Sequence, residues 1–178
     1  MTCCCQTLWI LLAHSLDNVG SSFETTLVDK FCQRWVTLLG HSPAARIIWK
    51  SCTGVAPVTF SATRWWSSWE VLHQLVKFFG DVRPFLAERH FSPRTCQHLK
   101  RILDDEGTCQ SLKLELAVCN DGAEPFVKKT YLMTGDSNLS YHAYKWLQEV
   151  LTAGRPAYHP NVEAVVKEIA RDDQKKCH

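Results

Sequence analysis

Apolar residues recur along most of this chain every three to four positions, the spacing of one face of an α-helix. Leu27, Phe31, Trp35, Leu38 and Leu39 make such a stripe behind a capping box, in which Ser21 accepts the Glu24 backbone N–H and the Glu24 carboxylate reaches back. Gly40 reads as its stop, and Ser42-Pro43 as the next start, an N-cap followed by proline at the first helical position. That second helix carries Ile47 and Ile48 and is expected to end near Gly54, ahead of one extended stretch over 55–60 that Pro57 interrupts. Trp65, Trp66, Trp69, Leu72, Leu75, Val76 and Phe79 form a wide helical stripe that Gly80 is expected to close. A short helix over 83–88 precedes another Ser-Pro start at Ser92-Pro93, with Cys96, Leu99, Ile102 and Leu103 on its face and Gly107 at its end.

From Leu112 the signals conflict. Leu112, Leu114, Leu116 and Val118 alternate as in a strand, yet Leu112, Leu116 and Cys119 also share a helical face, and Leu, Lys, Glu and Ala favour helix. The expectation is a helix, broken at Asn120-Asp121-Gly122 and Pro125 before a segment over 126–133. Gly135-Asp136-Ser137-Asn138 reads as a turn. A helix over 139–153 follows, then a linker bracketed by Pro156 and Pro160. A last amphipathic helix carries Val162, Val165, Val166 and Ile169 and frays into a solvated tail over 171–178. The expected fold class is mainly α.

Composition narrows the functional classes. The 178 residues are 46% hydrophobic, enough for one core, and 8 Gly with 7 Pro leave no room for collagen or long low-complexity sequence. Twenty basic residues against eighteen acidic ones give a formal charge of +2, so any basic surface has to be local. Nine cysteines are an odd set with no C-x-x-C pair, which argues against both a disulfide framework and a zinc site and for reduced, incidental thiols. The apolar run over 7–13 has the length of a signal-peptide core but no Lys or Arg before it, and it falls short of the ~20 residues a membrane helix needs. It reads as a buried strand or core segment, and no membrane partner is expected.

The segment Thr63-Arg64-Trp65-Trp66-Ser67-Ser68-Trp69-Glu70 concentrates the chemistry. A guanidinium pairs with phosphate and an indole face stacks on an unpaired base, so Arg64 and Trp65 are candidates for DNA contact, with Trp66 and Ser67 beside them. The plainer reading makes Trp65 and Trp69 an i, i+4 core pair. Asp104-Asp105-Glu106 reads as a solvated helix end rather than a metal site, and no metal ligands are assigned.

Two motifs carry a resemblance. Thr63-Arg64-Trp65 with Ser67 looks like the Thr-Arg-Trp-Asn-Ser motif of hAT-type transposases, and Ala13-His14 with Leu16-Asp17-Asn18 looks like the end of their Cys-x-Ala-His-x-Leu-Asn motif. The stretch from Gly54 onward is similar to hAT-like transposon-derived proteins. The resemblance implies a mainly α insertion domain of a split RNase H-like transposase fold. It divides the chain into an edge of the catalytic domain over 1–20, the insertion over 21–153, and a linker with C-terminal helix over 154–178. Trp66 stands where the motif has Asn and Leu11 where it has Cys, so His14 and Asn18 are motif remnants.

The same resemblance implies a catalytic domain that uses a divalent cation such as magnesium, held by two Asp before the Ala-His motif and a Glu beyond the insertion. No Asp or Glu precedes His14 here. Two-metal cleavage needs clustered carboxylates, so the expectation is a truncated transposase-derived chain that binds no cofactor and is inactive by itself. It implies DNA as partner, association with itself or with transposase-like chains, and the nucleus, with the cytoplasm as alternative. The competing readings are a helical protein-interaction module and a transposon relic without function.

Overall fold

The computed structural model describes residues 27–59, 67–88, 93–133, 145, 148 and 159–176. Among these the regular structure is helical: α1 (Leu27–His41), α2 (Pro43–Thr53), α3 (Ser67–Lys77), α4 (Phe79–Ala87), α5 (Pro93–Asp104), α6 (Glu106–Met133) and α7 (Pro160–Lys176). The mainly α expectation therefore stands for the described residues. The capping box at Ser21, the 135–138 turn and nearly all of the 139–153 helix lie outside them, although Lys145 and Gln148 are helical.

The core grows from α1. Phe31, Trp35, Leu38 and Leu39 are buried on one face, as their spacing requires, and Trp35 meets Trp49 of α2 and Phe85 of α4 edge-on at 5.0 and 5.2 Å between centroids. Trp49 in turn stands against Phe85 at 5.4 Å and 88°. Edge-to-face contact puts the positive rim of one ring on the negative face of the next, adding about 0.5–1.5 kcal/mol per pair to the area buried. Leu75, Leu99, Leu103, Leu112 and Leu116 extend the same core through α3, α5 and α6.

The α2 boundaries match the reading from sequence. Ser42 Oγ accepts the Ala45 N–H at 3.1 Å, Pro43 follows, and Gly54 closes the helix in the left-handed region at φ 75° with its N–H on the Lys50 carbonyl. The stretch after it is irregular as far as Thr59, with the Val58 N–H held by Gln74 Oε1 at 2.9 Å.

Four expectations are corrected. Gly80 closes nothing: the break falls at Phe78, which bends out of helical geometry and stands edge-on to Trp49, while Gly80 lies inside α4. Gly107 also lies inside a helix, because Asp105 ends α5 and caps α6 with its carboxylate on the Thr108 N–H at 2.9 Å. The Thr108 hydroxyl, and after it the Thr108 N–H, hold the Asp105 carboxyl below its ordinary value. Asn120-Asp121-Gly122 and Pro125 do not interrupt α6, which runs through them for 28 residues. Pro125 is exposed, outside the packed face, and side-chain partners on other helices hold Asn120 and Asp121 in place, offsetting a proline cost of about 3 kcal/mol. Finally, residues 171–176 continue α7 as helix rather than as a frayed tail, and Pro160, where the linker was expected to close, is the first residue of that helix.

Candidate functional site

Arg64, Trp65 and Trp66, like His14 and Asn18, lie outside the described residues. The C-terminal half of the aromatic block is described, and it is tied into the fold. Ser67, where α3 is first described, is 1% exposed. Trp69, one turn from Trp65 in sequence, is half-buried and stacks on His73 with centroids 4.8 Å apart and planes 24° from parallel. Its indole Nε1–H donates to the Asn120 carbonyl at 3.3 Å. Trp69 is thus a structural tryptophan that fixes α3 to the middle of α6.

That contact opens a polar centre the sequence reading missed. Asn120 Oδ1 lies 3.0 Å from His73 Nδ1, and Asn120 Nδ2 donates to Asp121 Oδ1 at 3.4 Å. With the amide nitrogen turned to the carboxylate, its oxygen faces the imidazole. His73 therefore donates from Nδ1 and, when neutral, keeps its lone pair on Nε2. Asp121, 5% exposed, accepts the backbone N–H of Asn161 at 3.0 Å and of Val162 at 3.1 Å, as well as the Asn161 side-chain amide.

A negative charge with free lone pairs at the first turn of a helix satisfies donors that have no intrahelical partner and opposes the helix dipole. His159 precedes Pro160 where Ser, Thr, Asp or Asn would normally cap, so α7 takes its cap from α6, forty residues away in sequence. At the far end Lys113 Nζ meets Glu168 at 2.6 Å, so α6 and α7 run antiparallel. The chain Trp69–His73–Asn120–Asp121–Asn161 binds α3, α6 and α7 together.

Among the described thiols Cys96 and Cys109 are buried, Cys32 and Cys119 are partly buried, and Cys52 is exposed. Burial pushes Cys32 up to about 12, with Asp29 and Cys119 adding to the rise, and burial raises Cys119 and Cys96 as well. Thiolate chemistry needs a lowered value, so these positions are poor nucleophiles. Among the described residues no group of three or more His, Cys, Asp or Glu is placed to hold a metal ion, and no helix is long and apolar enough to cross a membrane. Asp105, from the acidic triplet, serves as a helix cap.

Comparison with known proteins returned no match among family models, curated proteins or solved structures.

Proposed function

We propose that this chain is a helical, hAT-like transposase-derived module that contacts DNA through Arg64 and Trp65. The observation that carries the reading is the anchoring of the residues next to them: Ser67 is buried and Trp69 is locked to α6 by its indole N–H and by His73. A contact pair joined to a rigid helix loses less freedom on binding than one on a free loop. In this reading Trp69 does the structural work and leaves Arg64 to meet a phosphate and Trp65 to stack on an unpaired base, with Trp66 alongside. The helical make-up of the described residues agrees with an insertion domain, and the nucleus is the compartment that goes with DNA contact. Binding, not strand cleavage, is the activity assigned.

Fluorescence anisotropy with a hairpin-ended DNA and a plain duplex, each at two salt concentrations, tests this. The hairpin is expected to bind more tightly, and Trp65→Ala to weaken it by about 1–3 kcal/mol without unfolding the protein. A Trp65→Ala variant that binds the hairpin as well as the parent would remove the basis of the reading.

A further inference from the structure

α1 lies against α6, and one hydrogen bond fixes where they meet. The Val28 N–H, in the first described turn of α1, donates to Glu115 Oε2 of α6 at 3.3 Å. Four residues beyond these partners stand Cys32 and Cys119. Positions four apart share a helix face, so Cys119 lies on the face that Glu115 turns toward α1, and Cys32 on the face of buried Val28. The electrostatics agree: Glu115 acts on the Cys119 thiol, and Cys119 in turn acts on that of Cys32. Both cysteines are half-buried, and Cys32 packs against the core. The two thiols therefore meet at the edge of the α1–α6 seam.

We propose that Cys32 and Cys119 are a redox pair that a peroxide closes into a disulfide, tying α1 to α6. The peroxide takes two electrons from one thiol sulfur, which becomes a sulfenic acid as the O–O bond breaks and a first water leaves. The sulfur of the other cysteine then attacks it. The S–S bond forms, the S–O bond breaks, and the leaving hydroxide takes the second thiol proton away as water. One peroxide is reduced to two waters, and two thiols are oxidised to one disulfide.

Burial holds both thiols protonated, so the reaction is slow and the pair stays reduced until oxidant persists. The bridge encloses all of α2 to α5 between its ends, and closing so long a loop restricts the unfolded chain far more than the folded one. A disulfide needs Cα atoms about 4.4–6.8 Å apart, so its formation reads the closeness of this crossing directly. The pair is independent of Arg64 and Trp65 and stands whether or not they bind DNA.

The test treats the folded full chain with hydrogen peroxide, alkylates the remaining thiols after unfolding, and maps linked peptides by mass spectrometry. The expected product joins the Cys32 and Cys119 peptides, runs as a monomer in non-reducing electrophoresis and is reversed by dithiothreitol. Circular dichroism should show the oxidised chain melting about 5–10 °C above the reduced one. Cys32→Ala and Cys119→Ala, each shown to be folded by its reduced melt, should lose both the link and the rise. Cys52→Ala, at an exposed position, should keep both. Cys32 and Cys119 thiols that stay open to alkylation, or a link that joins two chains, overturn the proposal. So do bridges confined to other cysteines, a sulfinic or sulfonic acid in place of the bridge, or a bridge that leaves the melt unchanged.

Discussion

Asp121 makes the interior of this fold testable at a single atom group. Its carboxylate takes two backbone N–H groups of α7, the Asn161 side-chain amide and the amide of Asn120, and it is 5% exposed. Asp121→Ala removes a helix cap, which costs about 0.5–2 kcal/mol, and strands buried donors at about 1–3 kcal/mol for a group that water cannot reach. Asn161 and Val162 are only partly buried, so water recovers some of that loss. The expected destabilisation is therefore about 2–4 kcal/mol. Asp121→Asn keeps one acceptor oxygen but turns an NH2 toward donors, and should fall between parent and Ala. Urea unfolding followed by circular dichroism gives the magnitude, and amide exchange over residues 161–170 gives the place, since α7 should lose protection before α1. A loss under about 0.5 kcal/mol, or exchange unchanged in α7, would refute the view that α6 caps α7.

Other consequences are as direct. Gly80 and Gly107 sit inside helices with open space where a Cβ would go, so Gly80→Ala and Gly107→Ala should each stabilise by about 0.5–1 kcal/mol, whereas Gly54→Ala at φ 75° should destabilise; thermal melts decide, and the opposite signs would contradict the helix boundaries. Cys32 has a thiol value raised from 9.0 to about 12, so the folded state holds its proton where the unfolded chain has lost it. The stability this gives is fully present below pH 9 and is lost as pH rises toward 12; the slope of stability with pH in that window should shrink in Cys32→Ala. At pH 8 a disulfide reagent should label exposed Cys52 well before the partly buried Cys32, and equal rates would show that the fold does not shield the Cys32 thiol.

Helices whose ends are set by neighbouring residues were legible in the sequence. Ser42, Pro43 and Gly54 act on their own backbone, and α2 begins and ends where they say. Gly80 and Gly107 misled because glycine was read as a stop, whereas only Gly54 among the described glycines takes the left-handed conformation that makes one. The continuity of α6 was not legible. Asn120, Asp121 and Pro125 are local helix breakers, and what overrides them is contact with Trp69, His73 and Asn161 at sequence separations of forty to fifty residues. One clue was present: α7 starts at Pro160 with no capping residue before it, so its cap had to come from another element. Of the aromatic block, Trp69 is half-buried, held by His73 and the Asn120 carbonyl rather than in the core, and its expected partner Trp65 lies outside the described residues.

The most direct measurement of DNA contact at Arg64 and Trp65 is photocrosslinking of the full chain to a hairpin DNA carrying 5-iodouracil at an unpaired position, with the adduct mapped by mass spectrometry. The adduct is expected on the Thr63–Trp66 segment, and on Trp65 itself where the base stacks. An adduct confined to other segments, or none under conditions where the hairpin is bound, would contradict the DNA-contact reading.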